Sequence, residues 1–155
     1  MLFPTHLLVA ALLGRASRLS TPWLVVGAGI PDVVDKPLGI LGVVELYHSI
    51  GHSVVVIVVL TPLALSSTAG LAVTIGWASH LLADGVHVLI NGRPEALLSL
   101  AWPVATPPDP LALPPGTFVG YYIGSPSFVL EVGLWLLGGV GLVWTLTADS
   151  RLHRD

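Results

Sequence analysis

The chain has no cysteine and little charge, with Asp, Glu, Lys and Arg making up only 10% of its residues. The first absence excludes disulfide frameworks and thiolate metal sites, so any metal must be held by His, Asp or Glu. The second is far from the roughly 25% of a soluble domain, so most of the surface is not built for water. No basic stripe accompanies the net charge of −3, which argues against a nucleic-acid partner. A basic start before the first apolar run is also missing, and Arg15 and Arg18 fall where a small-residue cleavage site belongs. Residues 1–13 therefore read as a retained first helix and not as a signal peptide.

What is present is apolar. Hydrophobic residues make up 54% of the 155 and mean hydropathy is +0.86. Several runs reach the roughly 17–25 residues that cross a bilayer. Length argues for one domain, residues 1–155. We expect an all-α integral membrane bundle of about four transmembrane helices plus short re-entrant or interfacial pieces.

The first span is residues 2–19. Residues 23–30 are apolar but stop at Pro31 and Asp32, which predicts a re-entrant or interfacial segment, and 33–42, with Pro37 and two glycines, reads as a loop. The second span is 43–65, helical despite its β-branched core because lipid offers the backbone no other partner. The third is 70–90, ended by Asn91, Gly92, Arg93 and Pro94. A proline-rich connection, 95–126, cannot be one helix, and its Trp102, Phe118, Tyr121 and Tyr122 suit a membrane interface. The fourth span is 127–146, where Gly133, Gly138, Gly139 and Gly141 permit close helix contact. Four spans put Arg15, Arg18, Lys36 and Arg93 on one side, against Arg151 and Arg154 on the other. The positive-inside rule then places the connections in the cytoplasm.

Ionisable residues inside apolar spans cost about 2.5–3.5 kcal/mol each at a helix centre. His80, Asp84 and His87 fall at about 0°, 40° and −20° around the third span, one stripe. His48 and His52 are four residues apart near the start of the second span. Asp32 and Asp35 lie in the loop between, and Glu131 one turn into the fourth span. All point to the same membrane face, the expected cytoplasmic one. His6 is the exception, roughly 13 Å from Arg15 at helical rise, and geometry alone leaves its participation open.

Imidazole and carboxylate are ligands of zinc, manganese and related ions. Two such ions can clamp a phosphoester and make a nucleophile from water. Asp84, flanked by His80 and His87, suits a bridging position, and four clustered histidines exceed the needs of one ion. Each residue also has a plainer reading. His80 with Asp84 can lock two helices; His48 and His52 can be interfacial; Pro31-Asp32 can form a turn; Asp35 can pair with Lys36; Glu131 can cap a helix; His87 can be a satisfied core residue. Their shared depth is what those readings leave unexplained. His153 in the tail reads as inert, Trp77, Trp135 and Trp144 as packing or interface anchors, and Glu45 as an orienter for His48.

The motifs Thr5-His6, Pro31-Asp32, His48-Ser-Ile-Gly-His52-Ser53, Gly76-Trp-Ala-Ser-His80-Leu-Leu-Ala-Asp84 and Trp102-Pro103 occur in an order that resembles the membrane-bound metal-dependent hydrolases, the YdjM-like, LexA-regulated inner-membrane group. The resemblance runs from residue 5 to about 103. Two positions depart from the family pattern: Ser49 stands in place of an arginine, and the second acid, Asp35, comes three residues after the first instead of two. The family is distantly similar to zinc-dependent phospholipases C, which implies phosphoester hydrolysis by fold-level analogy, and it implies that His6 joins the site. The expectation is a hydrolase of a small-molecule or lipid phosphoester at headgroup depth, using one or two divalent ions, zinc by preference. The ligands are His6, Asp32, His48, His52, His80 and Asp84, of which His52 and Asp84 are the catalytic pair; Asp35, His87 and Glu131 are further candidates. Membrane lipid is the expected partner. The rivals are a non-catalytic protein with a structural metal, and a metal or proton carrier.

Overall fold

A computed structural model describes residues 1–152, with side chains described at all of these except 63 and 142–152; His153, Arg154 and the Trp144 side chain lie outside the described residues. Every regular element is helical: α1 Phe3–Ala16, α2 Thr21–Ile40, α3 Val54–Ala64, α4 Thr68–Ile90, a 3₁₀ stretch Pro94–Ala101, α5 Pro115–Tyr122 and α6 Pro126–Leu152. Among the described residues there is no strand, as an all-α chain requires.

Local chemistry sets several of these ends. Pro4 and Pro22 sit in the first turns of α1 and α2, where a missing N–H costs nothing. Ser67 caps α4, its Oγ accepting from the Gly70 N–H at 2.9 Å, and Gly92 at φ +70 lets the chain leave after Asn91. Among the described residues α4 alone is long and apolar enough to cross a membrane, and α5 with residues 126–141 of α6 passes the same test as one span bent by 90°.

Two expected elements are different. Residues 23–42 form no short segment and loop, because α2 runs unbroken through Pro31 and Pro37. An interior proline costs about 3 kcal/mol, but α2 is clasped between α1 and α4, and tertiary packing overrides propensity. Residues 41–53 are irregular, so the helical span expected over 43–65 shrinks to α3. The cause is Asp35. Its carboxylate accepts from the backbone N–H groups of Ser49 (2.6 Å), Gly51 (2.8 Å) and His52 (3.1 Å), donors a helix would have used internally.

A full-length α2 changes the parity of the bundle. α1 and α2 lie antiparallel, Gly14 against Thr21 and Gly29 beside Leu7 and Phe3. The start of α1 therefore meets the end of α4, where Met1 contacts Asp84 and His87. Arg15 and Arg18 fall at the opposite end from Lys36 and Arg93, so the four-to-two count that put the site on the cytoplasmic face no longer stands.

The core of this frame is small residues: Ala10, Leu24, Ala28 and Ala72, backed by Leu7, Leu13 and Ile75. α2 and α4 cross at main-chain distance. A Cβ on Gly27 would stand 2.0 Å from the Val73 carbonyl oxygen, and one on Gly76 2.0 Å from that of Leu24. The glycines of α6 do not serve this purpose: among the described residues Gly133, Gly139 and Gly141 have nothing within 4 Å of such a Cβ, and Gly138 meets only Leu8 at 3.5 Å. Gly76→Ala should accordingly destabilise the protein by about 1–3 kcal/mol, as overpacking does, and lower the thermal midpoint in detergent. Gly133→Ala should be neutral or slightly stabilising, since it only removes helix-interior glycine entropy. Equal midpoints for the two variants would refute the close α2–α4 crossing.

Candidate metal centre

His80 and Asp84 project from the last turns of α4, His6 from the first turns of α1 and Asp32 from the second half of α2. His48 and His52 arrive on the irregular segment folded around Asp35. The Trp77 indole N–H clamps that segment from α4 by donating to the Gly51 carbonyl at 2.6 Å. Trp77 is thus more than packing: it holds a ligand-bearing loop, a role that pattern alone could not reveal because Gly51 is distant in sequence.

Six residues form three overlapping triads that can hold a metal ion: His6–His80–Asp84, Asp32–His52–His80 and His48–His52–Asp84, each with its ligand atoms within 4.8 Å of one another. Every pair of triads shares one residue. Asp84 divides its oxygens, Oδ1 lying 3.2 Å from His6 Nε2, and Oδ2 lying 3.3, 3.4 and 3.8 Å from the Nε2 atoms of His80, His52 and His48. Asp32 Oδ1 is 3.6 Å from His52 Nε2. Two zinc ligands at about 2.0–2.1 Å from a tetrahedral ion stand about 3.3 Å apart. Most of these separations fit a ligand edge better than a hydrogen bond.

The tautomers follow from the neighbours. His80 Nδ1 faces the Ala28 carbonyl at 2.7 Å, which can only accept, so Nδ1 carries the proton. His52 Nδ1 faces the Asp35 carboxylate, also at 2.7 Å, and donates likewise. In the neutral rings both Nε2 atoms are therefore bare, and they stand 3.2 Å apart. Backing a ligand imidazole with a carboxylate or carbonyl is the usual outer arrangement of metal sites. Burial lowers the proton affinity of His52, but the Asp35 and Asp84 carboxylates outweigh it and hold its pKa above the ordinary value; the position favours positive charge. His6 adds an orphan: it is 1% exposed, stacked on His80 at 3.5 Å, and neither ring nitrogen has a hydrogen-bond partner among the described residues.

The remaining candidates are placed around this cluster. Asp35 stands behind His52 as its orienter and is fully buried. His87 points toward the Met1 amine, Asn91 and Ser127, and stacks on Tyr122 at 5.1 Å. Glu131 ties α6 to α1, accepting from the Leu2 N–H at 3.1 Å and from the Thr5 hydroxyl; Trp135 donates to that same hydroxyl. Glu45 is exposed on the irregular segment. Lys36, expected to pair with Asp35, pairs with Asp32 at 3.2 Å instead, which the i, i+4 spacing of a continuous α2 would have revealed.

The fold and site define an all-helical protein with a buried His/Asp cluster able to hold metal. No family model, curated protein or solved structure matches the chain.

Because Asp35 meets three backbone N–H groups as well as His52, Asp35→Asn must turn an amide donor toward donors. Metal affinity should fall about 10–100-fold, the usual effect of losing an outer partner, with every direct ligand intact. Competition with a chromophoric chelator measures this, and an unchanged affinity would remove Asp35 from its orienting role.

Proposed function

We propose that the chain is a membrane-embedded, metal-dependent hydrolase acting on a phosphoester or lipid-like substrate at headgroup depth. The observation that carries the reading is the pair of bare Nε2 atoms on His52 and His80, 3.2 Å apart in a buried setting. In the neutral rings two lone pairs at that distance repel, which a proton or a metal cation between them relieves, and the three triads of ligand atoms within 4.8 Å of one another suit the metal. The ligand edges and all-N/O donor set suit zinc, and a split Asp84 carboxylate suits one ion or a bridged pair.

When bound there, a divalent ion supplies Lewis acidity, polarising the scissile group and making water a better nucleophile near neutral pH. The chain's own residues do the positioning. Asp35 and the Ala28 carbonyl hold the His52 and His80 rings in the ligating tautomer. Asp84 balances charge between the two sides of the cluster. The ordered motifs shared with the membrane-bound metal-dependent hydrolases point to the same chemistry.

Membrane embedding is supported by α4 and by apolar side chains left uncovered, such as Val59 at 71%, Leu82 at 71% and Leu137 at 73% exposure. α1, α2, α3 and the bent α5–α6 pair would complete the bundle in lipid. With Arg15, Arg18 and Arg151 at the end away from the site, the positive-inside rule now favours a site facing away from the cytoplasm. A carrier would need polar groups through the whole depth, whereas the far half of the frame is the apolar Ala10–Leu24–Ala28–Ala72 core. A purely structural metal would leave no reason for an open cavity against the ligands.

Wild-type protein purified without chelator should carry one or two divalent ions per chain and cleave a chromogenic phosphoester. His80→Ala should lose the metal and reduce turnover by more than the roughly 10–100-fold that an outer partner contributes. Negligible metal in both proteins would defeat the reading. The absence of cysteine makes single introduced thiols clean probes of sidedness. In intact cells an impermeant maleimide should label Glu45→Cys and spare Ser17→Cys, and the reverse pattern would put the site in the cytoplasm.

A further inference from the structure

A cavity of about 660 Å³ opens beside the cluster, with Asp32, His48, His52 and Asp84 in one wall. Its size suits a single small ligand, since such sites run about 300–1,000 Å³. Most of the remaining lining is apolar, contributed by Phe3 of α1, Leu97 and Leu100 of the 3₁₀ stretch, Leu111 of the connection, and Phe118 and Val119 of α5. A slot that is metal-lined at one end and greasy elsewhere asks for a ligand of the same two-part character.

Charge narrows the class. With histidines neutral, the charged groups in the lining are Asp32, Asp84, Lys36, Arg93 and the Met1 ammonium, which sits 2.9 Å from Asp84 Oδ1. Two acids face three cations, and a divalent ion in the cluster would raise the surplus from one positive charge to three. Arg93 is already engaged, Nη2 donating to the Asp109 carbonyl at 2.7 Å. Two cations stand next to the ligands, the Met1 ammonium on Asp84 and Lys36, whose Nζ lies 3.2 Å from Asp32 Oδ1 and 3.4 Å from the Tyr47 carbonyl, with 28% of its side chain exposed. A cation beside a cationic centre is favourable only when an anion bridges them. Both carboxylates in the lining belong to the metal cluster, so a quaternary ammonium headgroup would find no free acid to meet.

Resting on the hydrolase reading for its chemistry but not for binding, we propose that the cavity holds the single alkyl or acyl chain of an anionic amphiphile, with its terminal phosphate-type group held between the His/Asp cluster and Lys36. The wall discriminates in two ways. Chain length is read by apolar contact, and headgroup charge by Lys36 together with the bound cation. A zwitterionic phosphocholine head is disfavoured because its ammonium meets the cationic Lys36, Arg93 and Met1 amine and apolar surface.

The test is calorimetric titration of the zinc-loaded full chain in amphipol with butyl-, hexyl- and octylphosphonate, corrected with empty amphipol. Affinity should rise by up to about fourfold per methylene. Lys36→Gln should weaken every phosphonate by roughly tenfold or more, the value of a charge-assisted hydrogen bond, while retaining at least the wild-type zinc content. Leu97→Trp, which fills the slot, should flatten the chain-length series with zinc retained, and octylphosphocholine should bind more weakly than octylphosphonate. A flat series in wild type, a Lys36→Gln protein that binds like wild type, or no preference against phosphocholine would each overturn the inference. The two readings fail separately: protein that binds no zinc yet shows the series and its Lys36 dependence sinks the hydrolase, and zinc-loaded protein blind to the series sinks the amphiphile.

Discussion

His52 and His80 bring their Nε2 atoms within 3.2 Å of each other, both bare in the neutral rings because each Nδ1–H is already given to Asp35 or to the Ala28 carbonyl. In water this opposition would relax by rotating a ring. Here both rings are buried, and each is pinned by an acceptor on α2. The Asp84 carboxylate beside them offers negative charge but no donor, so it sharpens the demand. The cluster is one that a bound cation would satisfy, and much of the surrounding architecture keeps its geometry in place.

Fixing six ligands from four segments requires a frame that does not give. α2 and α4 supply it by crossing where neither Gly27 nor Gly76 has room for a methyl. At that distance backbone meets backbone, and the relative position of Ala28 and His80 is set by main-chain contact and not by adjustable side chains. The same α2 carries Asp35 seven residues further on, around which the 41–53 segment winds to deliver His48 and His52. One helix thus orients both central imidazoles, directly through a carbonyl and indirectly through a carboxylate.

The sequence was most legible where regular periodicity carried the information. The His80–Asp84 stripe sits on α4 as a helical count of residues requires, and the six ligand candidates all fall in the triads. It was least legible where long-range bonds beat local rules. Pro31 and Pro37 are strong stop signals, yet α2 continues because α1 and α4 enclose it, and that one misplaced boundary also inverted α1. His6 looked stranded at the wrong end only because a helix crossing was missing from the count. His48 and His52 have helical spacing, but Asp35 captures the N–H groups that a helix over 43–53 would need. Lys36 was hidden by the same boundary, since its i, i+4 relation to Asp32 exists only if α2 is continuous. Nothing in the pattern marked Trp77 as a clamp, because its partner is a backbone carbonyl whose position depends on the Asp35 loop.

The continuity of α2 also decides what the site can face. Had the helix stopped at Ile30, Lys36 would be a solvated loop residue and Asp32 would lack its i, i+4 partner. Because α2 runs on for ten residues, it sets a lysine one turn beyond Asp32, at the boundary between the cluster and the apolar slot. In the empty cluster that lysine neutralises Asp32. A divalent ion on that carboxylate would take the ammonium's partner while leaving it near the Tyr47 carbonyl, a positive charge beside an already cationic centre. A bound anion would relieve that arrangement, so the residue that stabilises the metal-free cluster is placed to act in recognition once the cluster is filled.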